Sequence, residues 1–191
     1  MTAVACVEIG CGAGRMSKQL SKIFARVDAV DISPAMIAYA RSHVTEDNIA
    51  WHVGTGSTLP IPTESVTGAF SCHVFQHFSD ESVAYAYFKE IWRVLKPGGT
   101  LLIHLPLFRH HRNRRLGVIS NALYRTYRAV YQVYGHLARL RMKMGGKPHM
   151  HGLSYEERAL AKELTALSFS NIQFQCKWND SDPLTVVLAT K

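Results

Sequence analysis

Apolar positions along the chain follow two rhythms. Compact apolar runs at 3–9, 27–31, 49–53, 68–74 and 99–105 predict strands, and spacings of three and four over 15–25, 34–45 and 80–95 predict helices between most of them. Strands alternating with helices imply an α/β fold with a parallel sheet covered by helices. The interval 54–67, rich in Gly, Ser, Thr and Pro, reads as loop. Near the end, runs at 171–177 and 184–190 flank the turn cluster Asn179-Asp180-Ser181-Asp182-Pro183 and predict a closing hairpin. No internal repeat or low-complexity tract interrupts this order.

The segment 106–153 breaks the rhythm, being far longer than a crossover of a dozen or so residues requires. Within it Leu116, Ile119, Leu123, Tyr127, Val130, Tyr134 and Leu137 form one apolar stripe at helical spacing. Asn121, Arg125, Arg128, Gln132, His136, Arg139 and Lys143 form a polar stripe opposite. The pattern predicts one amphipathic helix or a helical hairpin broken near Gly135. Gly117 and Gly135 weaken a single rod, each by about 1 kcal/mol relative to alanine.

The chemistry-bearing signal is at the start. Val7-Glu8-Ile9 runs into Gly10-Cys11-Gly12-Ala13-Gly14-Arg15, a strand opening into a glycine turn that lets a ligand approach the backbone. A helix over Met16 to Phe24 would aim its free N–H groups and positive dipole end at the same space, favouring a carboxylate or phosphate. A dinucleotide fingerprint G-x-G-x-x-G needs its third glycine where Arg15 stands, which argues against a dehydrogenase. About 20 residues beyond the turn, Asp31 closes the second strand. Its carboxylate is suited to the two hydroxyls of a ribose, or alternatively to capping the helix that Pro34 opens.

Four motifs in order carry a resemblance: Val7 to Arg15; Val30-Asp31-Ile32-Ser33-Pro34-Ala35-Met36; Val74-Phe75-Gln76-His77-Phe78; and Arg93-Val94-Leu95-Lys96-Pro97-Gly98-Gly99-Thr100. Together they resemble the class I S-adenosylmethionine-dependent methyltransferases of small-molecule type over residues 3–106, with 154–191 similar to that family's closing helix and strand pair. The resemblance implies a Rossmann-like doubly wound sheet of seven mostly parallel strands with an antiparallel last strand, in one domain spanning 1–191. The helical insertion 106–153, after the fifth strand, would be a lid. It implies S-adenosyl-L-methionine as cofactor, with Gly10, Gly12 and Gly14 admitting the methionine part, Asp31 on the ribose, and Ile32 and Met36 flanking adenine. Thr55, Gly56 and Ser57 would border the adenine edge, and Glu8, Cys11 and His73 complete the cofactor set. Two positions depart from the family pattern: Thr55 stands where an acidic residue usually meets the adenine amino group, and Thr67 replaces an aspartate at the start of the fourth strand.

Methyl transfer from a sulfonium needs alignment and exclusion of water, because the leaving thioether is neutral. A hydroxyl or protonated amine acceptor also needs a base, for which histidine is suited near neutral pH. His73, His77 and His104 lie at predicted strand exits, where open α/β sheets bind ligands, and are the catalytic candidates. Each has the alternative of a purely structural role.

Composition narrows the partners. The 191 residues, 47% hydrophobic, suit one globular domain with a full core. No apolar run reaches the length of a membrane span, and the first nine residues lack a basic start and the length of a signal peptide, so a cytoplasmic protein is expected. Cys6, Cys11, Cys72 and Cys176 lack C-x-x-C spacing and read as reduced, buried thiols, and no metal site is expected. The net charge of +8 is concentrated: twelve Lys or Arg and no Asp or Glu fall between Ile91 and Tyr155, ten of them in Arg109 to Lys147. The basic segment is therefore a solvated face or meets an anion or an anionic membrane surface. A small-molecule acceptor, partly apolar or anionic and methylated on O or N, is the first reading, and nucleic acid is not expected. With few residues ahead of the glycine turn, the 106–153 segment is expected to wall the site. A cofactor-binding module with an incomplete catalytic site, and a nucleic-acid or lipid methyltransferase working through its basic lid, are the alternatives.

Overall fold

The computed structural model describes residues 4–108, 153–179 and 182–191. The elements run β1 (Ala5–Ile9), α1 (Ser17–Leu20), β2 (Arg26–Asp31), α2 (Pro34–His43), β3 (Ile49–Val53), β4 (Val66–Ser71), α3 (Glu81–Val94) and β5 (Leu95–His104). After these come β6 (Leu107–Phe108), β7 (Tyr155–Glu156), α4 (Glu157–Ala166), β8 (Ser170–Asn179) and β9 (Asp182–Thr190). A single 3-10 turn, Phe75–His77, sits between β4 and α3.

Seven strands form one sheet in the order β3-β2-β1-β4-β5-β9-β8. The first five are mutually parallel, while β9 runs antiparallel to both β5 and β8. This is the expected α/β architecture, including the antiparallel closing strand. Alternation along β1 divides the core. Ala5, Val7 and Ile9 face a large cluster with Phe88, Ile91, Leu101, Ile103, Leu160 and Leu164, while Cys6 joins Val27, Ala29, Ile37 and Ile49 on the other side. Strand order reverses between β1 and β4, and a crevice at that switch point, at the C-terminal strand ends, is where such sheets bind ligands.

Two boundaries differ from expectation in ways that matter for the site. The helix expected over 15–25 is only four residues long. Ser17 turns its buried hydroxyl into the sheet, and the Asn48 side-chain amide donates to the Ser21 and Phe24 carbonyls at 2.9 and 3.0 Å, drawing the chain off the helix. Helical turns still run from Gly14 to Phe24, Lys18 N donating to the Gly14 carbonyl at 3.0 Å and Phe24 N to the Leu20 carbonyl at 2.9 Å, but the regular helix is too short to build a full dipole. The strand expected to reach residue 74 ends at Ser71, whose hydroxyl donates to the Ile9 carbonyl at 2.8 Å. Two residues on, His73 adopts φ of 59° and turns the chain.

Most of the segment 106–153, and with it the expected helical lid, lies outside the described residues. Its two flanks meet: Leu107 and Phe108 pair in parallel with Tyr155 and Glu156. Tyr155, fully buried, donates its hydroxyl to the Phe75 carbonyl at 2.7 Å, and Leu153 N donates to the Gln76 carbonyl at 2.7 Å. Among the described residues, no helix is long and apolar enough to cross a membrane.

Candidate active site

The glycine turn leaves β1 and is held to the end of the neighbouring strand β2. Gly10 N and Cys11 N both donate to the Val30 carbonyl, at 2.7 and 3.0 Å, and Gly14 N donates to the Cys11 carbonyl at 2.9 Å. Gly10, at φ of 75°, lies so close to the chain after β4 that an added β-carbon would fall 2.2 Å from Val74 Cγ2. Gly12, at φ of 52°, is the opposite case. A β-carbon there would meet nothing within 4 Å, so the turn presents bare backbone to open space. Cys11 turns its side chain away into the core; burial pushes its thiol up to about 12, so its part in the turn is played by the backbone.

Two carboxylates frame this turn. Asp31, ending β2, accepts from Gly12 N on Oδ2 at 2.8 Å and from Ser33 N on Oδ1 at 2.9 Å. Both oxygens are therefore fixed in direction, and each retains a further lone pair. The helix cap itself falls to Ser33, which accepts from Met36 N at 3.3 Å. Glu8, on β1, is almost fully buried and accepts from the Ser17 hydroxyl at 2.5 Å. Burial is the main cause, with the Asp31 charge adding to it, that lifts the Glu8 carboxyl to about 7; the Ser17 hydrogen bond and Arg15 act the other way.

The apolar side chains expected to flank adenine stand unburied after β2: Ile32 is 65% exposed and Met36 43%. Gly56 lies against Ile32, its hypothetical β-carbon 3.9 Å from Ile32 Cγ2. Thr55 closes its own loop instead of facing outward alone. Its hydroxyl lies 2.7 Å from that of Thr58 and accepts from Thr58 N at 3.1 Å, and Ser57 N approaches it at 3.4 Å.

On the β4–β5 side, the register that pairs Ser71 with Ile103 sets His73 beside His104. Their rings lie 4.4 Å apart, and His73 N donates to His104 Nδ1 at 3.2 Å. His104 is buried and His73 exposed. Half-buried Cys72 completes this group, burial holding its thiol above the ordinary range. His77 is not part of it; it sits exposed in the 3-10 turn, its Nε2 3.4 Å from the Gln76 amide nitrogen.

A family model described as a methyltransferase domain matches residues 7–103, from the glycine turn to the end of β5. The chain belongs to the methyltransferase-domain family. Among curated relatives, this methyltransferase domain is 39% identical over 100 residues to the malonyl-[acyl-carrier protein] O-methyltransferase of Hahella chejuensis, a match covering 50% of this chain and 34% of that protein. It is 29% identical over 101 residues to a ubiquinone biosynthesis O-methyltransferase of Xanthomonas oryzae pv. oryzae, covering 51% and 41%. The chain thus spans between about a third and a half of the length of the curated relatives it matches. A SAM-dependent methyltransferase of Methanosarcina mazei shares the fold at a TM-score of 0.70 and 22% identity, over 100% of this chain and 93% of that one. Human N-acetylserotonin methyltransferase, solved in complex with SAM, does so at 0.64 and 19%, over 99% and 48%.

In the methyltransferase domain Asp31 meets Gly12 and His73 meets His104, whereas Gly10 and Gly14, expected to admit a ligand, are packed: a β-carbon at Gly14 would fall 2.7 Å from Trp51 Cη2 and 2.9 Å from Val44 Cγ2. Sequence reasoning missed two participants. Ser17 was part of an expected helix face, and only its position nine residues after Glu8, across a turn, makes it that carboxyl's partner. Cys72 was counted as a core thiol, whereas β4 ends one residue before it. Its adjacency to His73, with His104 ending the neighbouring strand, was the available signal.

Proposed function

We propose that the domain binds S-adenosyl-L-methionine across the C-terminal ends of β1, β2 and β4 and transfers its methyl group to an oxygen of a small acceptor. The carrying observation is the bare Gly12 backbone beside an Asp31 carboxylate whose two oxygens are already aimed by Gly12 N and Ser33 N. In this reading Asp31 accepts the ribose hydroxyls, Ile32 and Met36 sandwich the adenine with Gly56 and Ser57 at its edge, and Glu8 stands behind the methionine end. Thr55 serves that edge through its loop, because its hydroxyl is engaged locally.

The reaction forms a carbon–oxygen bond as the carbon–sulfur bond breaks, and the sulfonium leaves as a neutral thioether. Alignment of acceptor oxygen, methyl carbon and sulfur supplies most of the acceleration. A carboxylate acceptor needs no base, and a hydroxyl acceptor gives up one proton, which passes to solvent water. His73 and His104 face this acceptor side as contact groups, and His77 shapes its rim. The relatives named for O-methylation favour oxygen over nitrogen. An anionic acceptor is favoured by the basic segment, whose described flanks are anchored beside Gln76, at the exit of β4. An anionic membrane surface is the second occupant this charge fits. The free thiols Cys6, Cys11 and Cys72 suit a cytoplasmic setting.

Calorimetry with S-adenosylhomocysteine tests the cofactor reading. Micromolar binding is expected, weakened at least about 100-fold in Asp31→Ala as two charge-assisted hydrogen bonds are lost. Absence of binding by the folded parent overturns it.

A further inference from the structure

The remaining histidines and thiols of the described residues have structural explanations. His52 pairs with Asp28 at 3.0 Å, His43 stacks on Tyr39, and burial pushes the Cys6 thiol up to about 12 among apolar neighbours. The group at the ends of β4 and β5 differs in gathering three ligand-type side chains in one place, with His104 accepting from His73 N and lying against its ring. One ligand-type atom from each of Cys72, His73 and His104 lies within 4.8 Å of the others. A second, independent feature marks the same place: His73, which carries a β-carbon, is held at φ of 59°. That region is disfavoured for residues with a β-carbon; Glu64, Ser168 and Asn171 also adopt it among the described residues, but of the four only His73 belongs to a cluster of ligand-type side chains. Here it turns the imidazole back over the His104 ring.

We propose that Cys72, His73 and His104 form a three-ligand site for a borderline-soft divalent cation of the zinc class, with a fourth position open toward the acceptor side. The donor set fits. One thiolate and two imidazoles are ligands zinc prefers, and three protein ligands with an open position is the arrangement of zinc sites that also bind an exchangeable molecule. Zn–S near 2.3 Å and Zn–N near 2.0–2.1 Å place tetrahedral ligand atoms about 3.3–3.7 Å apart. The cluster must therefore close by about 1 Å, within reach of side-chain rotation by exposed His73 and half-buried Cys72. His104 turns the Nδ1 lone pair toward the His73 backbone, where it accepts a long hydrogen bond of 3.2 Å. Ligation exchanges that contact for a metal bond. On binding, the Cys72 sulfhydryl releases its proton to solvent and its sulfur pair forms the Zn–S bond, while the imidazoles contribute nitrogen lone pairs. The site needs no step of the methyl-transfer reading, and its occupancy is measurable on the protein alone.

Zinc competition against a chromophoric chelator, on the full chain, is the test. One equivalent is expected to be held with submicromolar affinity, and Cys72→Ser or His73→Ala is expected to weaken it at least about 100-fold. Cobalt in place of zinc is expected to show the intense visible bands of tetrahedral coordination with thiolate charge transfer, both lost in Cys72→Ser. His73 is exposed, so His73→Ala tests the site without disturbing the core. No retained zinc, or zinc held equally by both variants through the histidines of 109–152, overturns the inference. S-adenosylhomocysteine binding measured on the same samples separates that outcome from failure of the cofactor reading.

Discussion

Glu8 is the residue whose chemistry the fold has altered most informatively. The folded carboxyl keeps its proton to about pH 7, against about 4.5 in an unfolded chain. The folded state therefore binds more protons over that interval. The stability Glu8 contributes is complete below about pH 4.5 and is lost as pH rises through 7. Glu8→Gln preserves an acceptor for the Ser17 hydroxyl and removes the charge that burial penalises. The variant and the parent are expected to melt together at pH 4.5, with the variant roughly 5 °C higher at pH 8. A gap independent of pH would assign the titration elsewhere. A cationic amino group bound beside Glu8 favours its ionised form, so the same substitution is expected to weaken S-adenosylhomocysteine about tenfold at pH 8, where the parent carboxylate is charged. Asp31 shows how far residue identity alone could be read. Its place at the end of β2 was legible as a choice between ribose and cap, and the neighbouring Ser33 hydroxyl, by taking the cap, leaves Asp31 to brace the turn.

At the scale of elements, the glycine turn separates packing from binding. Gly10→Ala would drive a β-carbon into Val74, joining the ends of β1 and β4 by a clash on top of a left-handed backbone. A loss of about 3 kcal/mol is expected in denaturant melts, the sum of overpacking and left-handed strain. Gly12→Ala suffers only the backbone part, about 1 kcal/mol, because its β-carbon enters open space. On the proposed cofactor reading that space admits the cofactor, so Gly12→Ala is expected to remain folded while its affinity for S-adenosylhomocysteine falls at least tenfold, about 1.4 kcal/mol. A Gly12→Ala protein binding as well as the parent would place the ligand elsewhere. The antiparallel closing strand followed from the family resemblance, and strand positions were readable because each buried run carries its own apolar pattern. The short α1 and early end of β4 were not, since Asn48 and Ile9, distant in sequence, decide them through hydrogen bonds to Ser21, Phe24 and Ser71. The Cys72–His73–His104 group was hidden for the same reason: it exists only once β4 and β5 pair with Ser71 opposite Ile103.

For the molecule as a whole, the charge and the catalytic scaffold are separable, and the two-stranded β6–β7 pairing shows where to cut. Leu107 lies opposite Tyr155 in a parallel pair, so the chain leaves at one end of the pair and re-enters at the other, and an uncharged flexible linker of about a dozen residues is needed to return it. Replacing 109–152 by such a linker removes ten positive charges and no negative one, which reverses the sign of the net charge of +8. It leaves the seven-stranded sheet, the Gly10–Gly14 turn, Asp31 and the Tyr155 hydrogen bond to Phe75 in place. If the segment recognises the acceptor, the excised protein is expected to fold cooperatively and to bind S-adenosylhomocysteine within about threefold of the parent, a difference under 1 kcal/mol. Methyl transfer to a carboxylate acceptor should fall at least 100-fold, and affinity for vesicles rich in anionic lipid should be lost together with its salt dependence. Retained turnover would confine acceptor recognition to the described scaffold, where His73 and His104 stand at the strand ends. Loss of cofactor affinity in a protein that still melts cooperatively would instead make the segment a wall of the cofactor cleft.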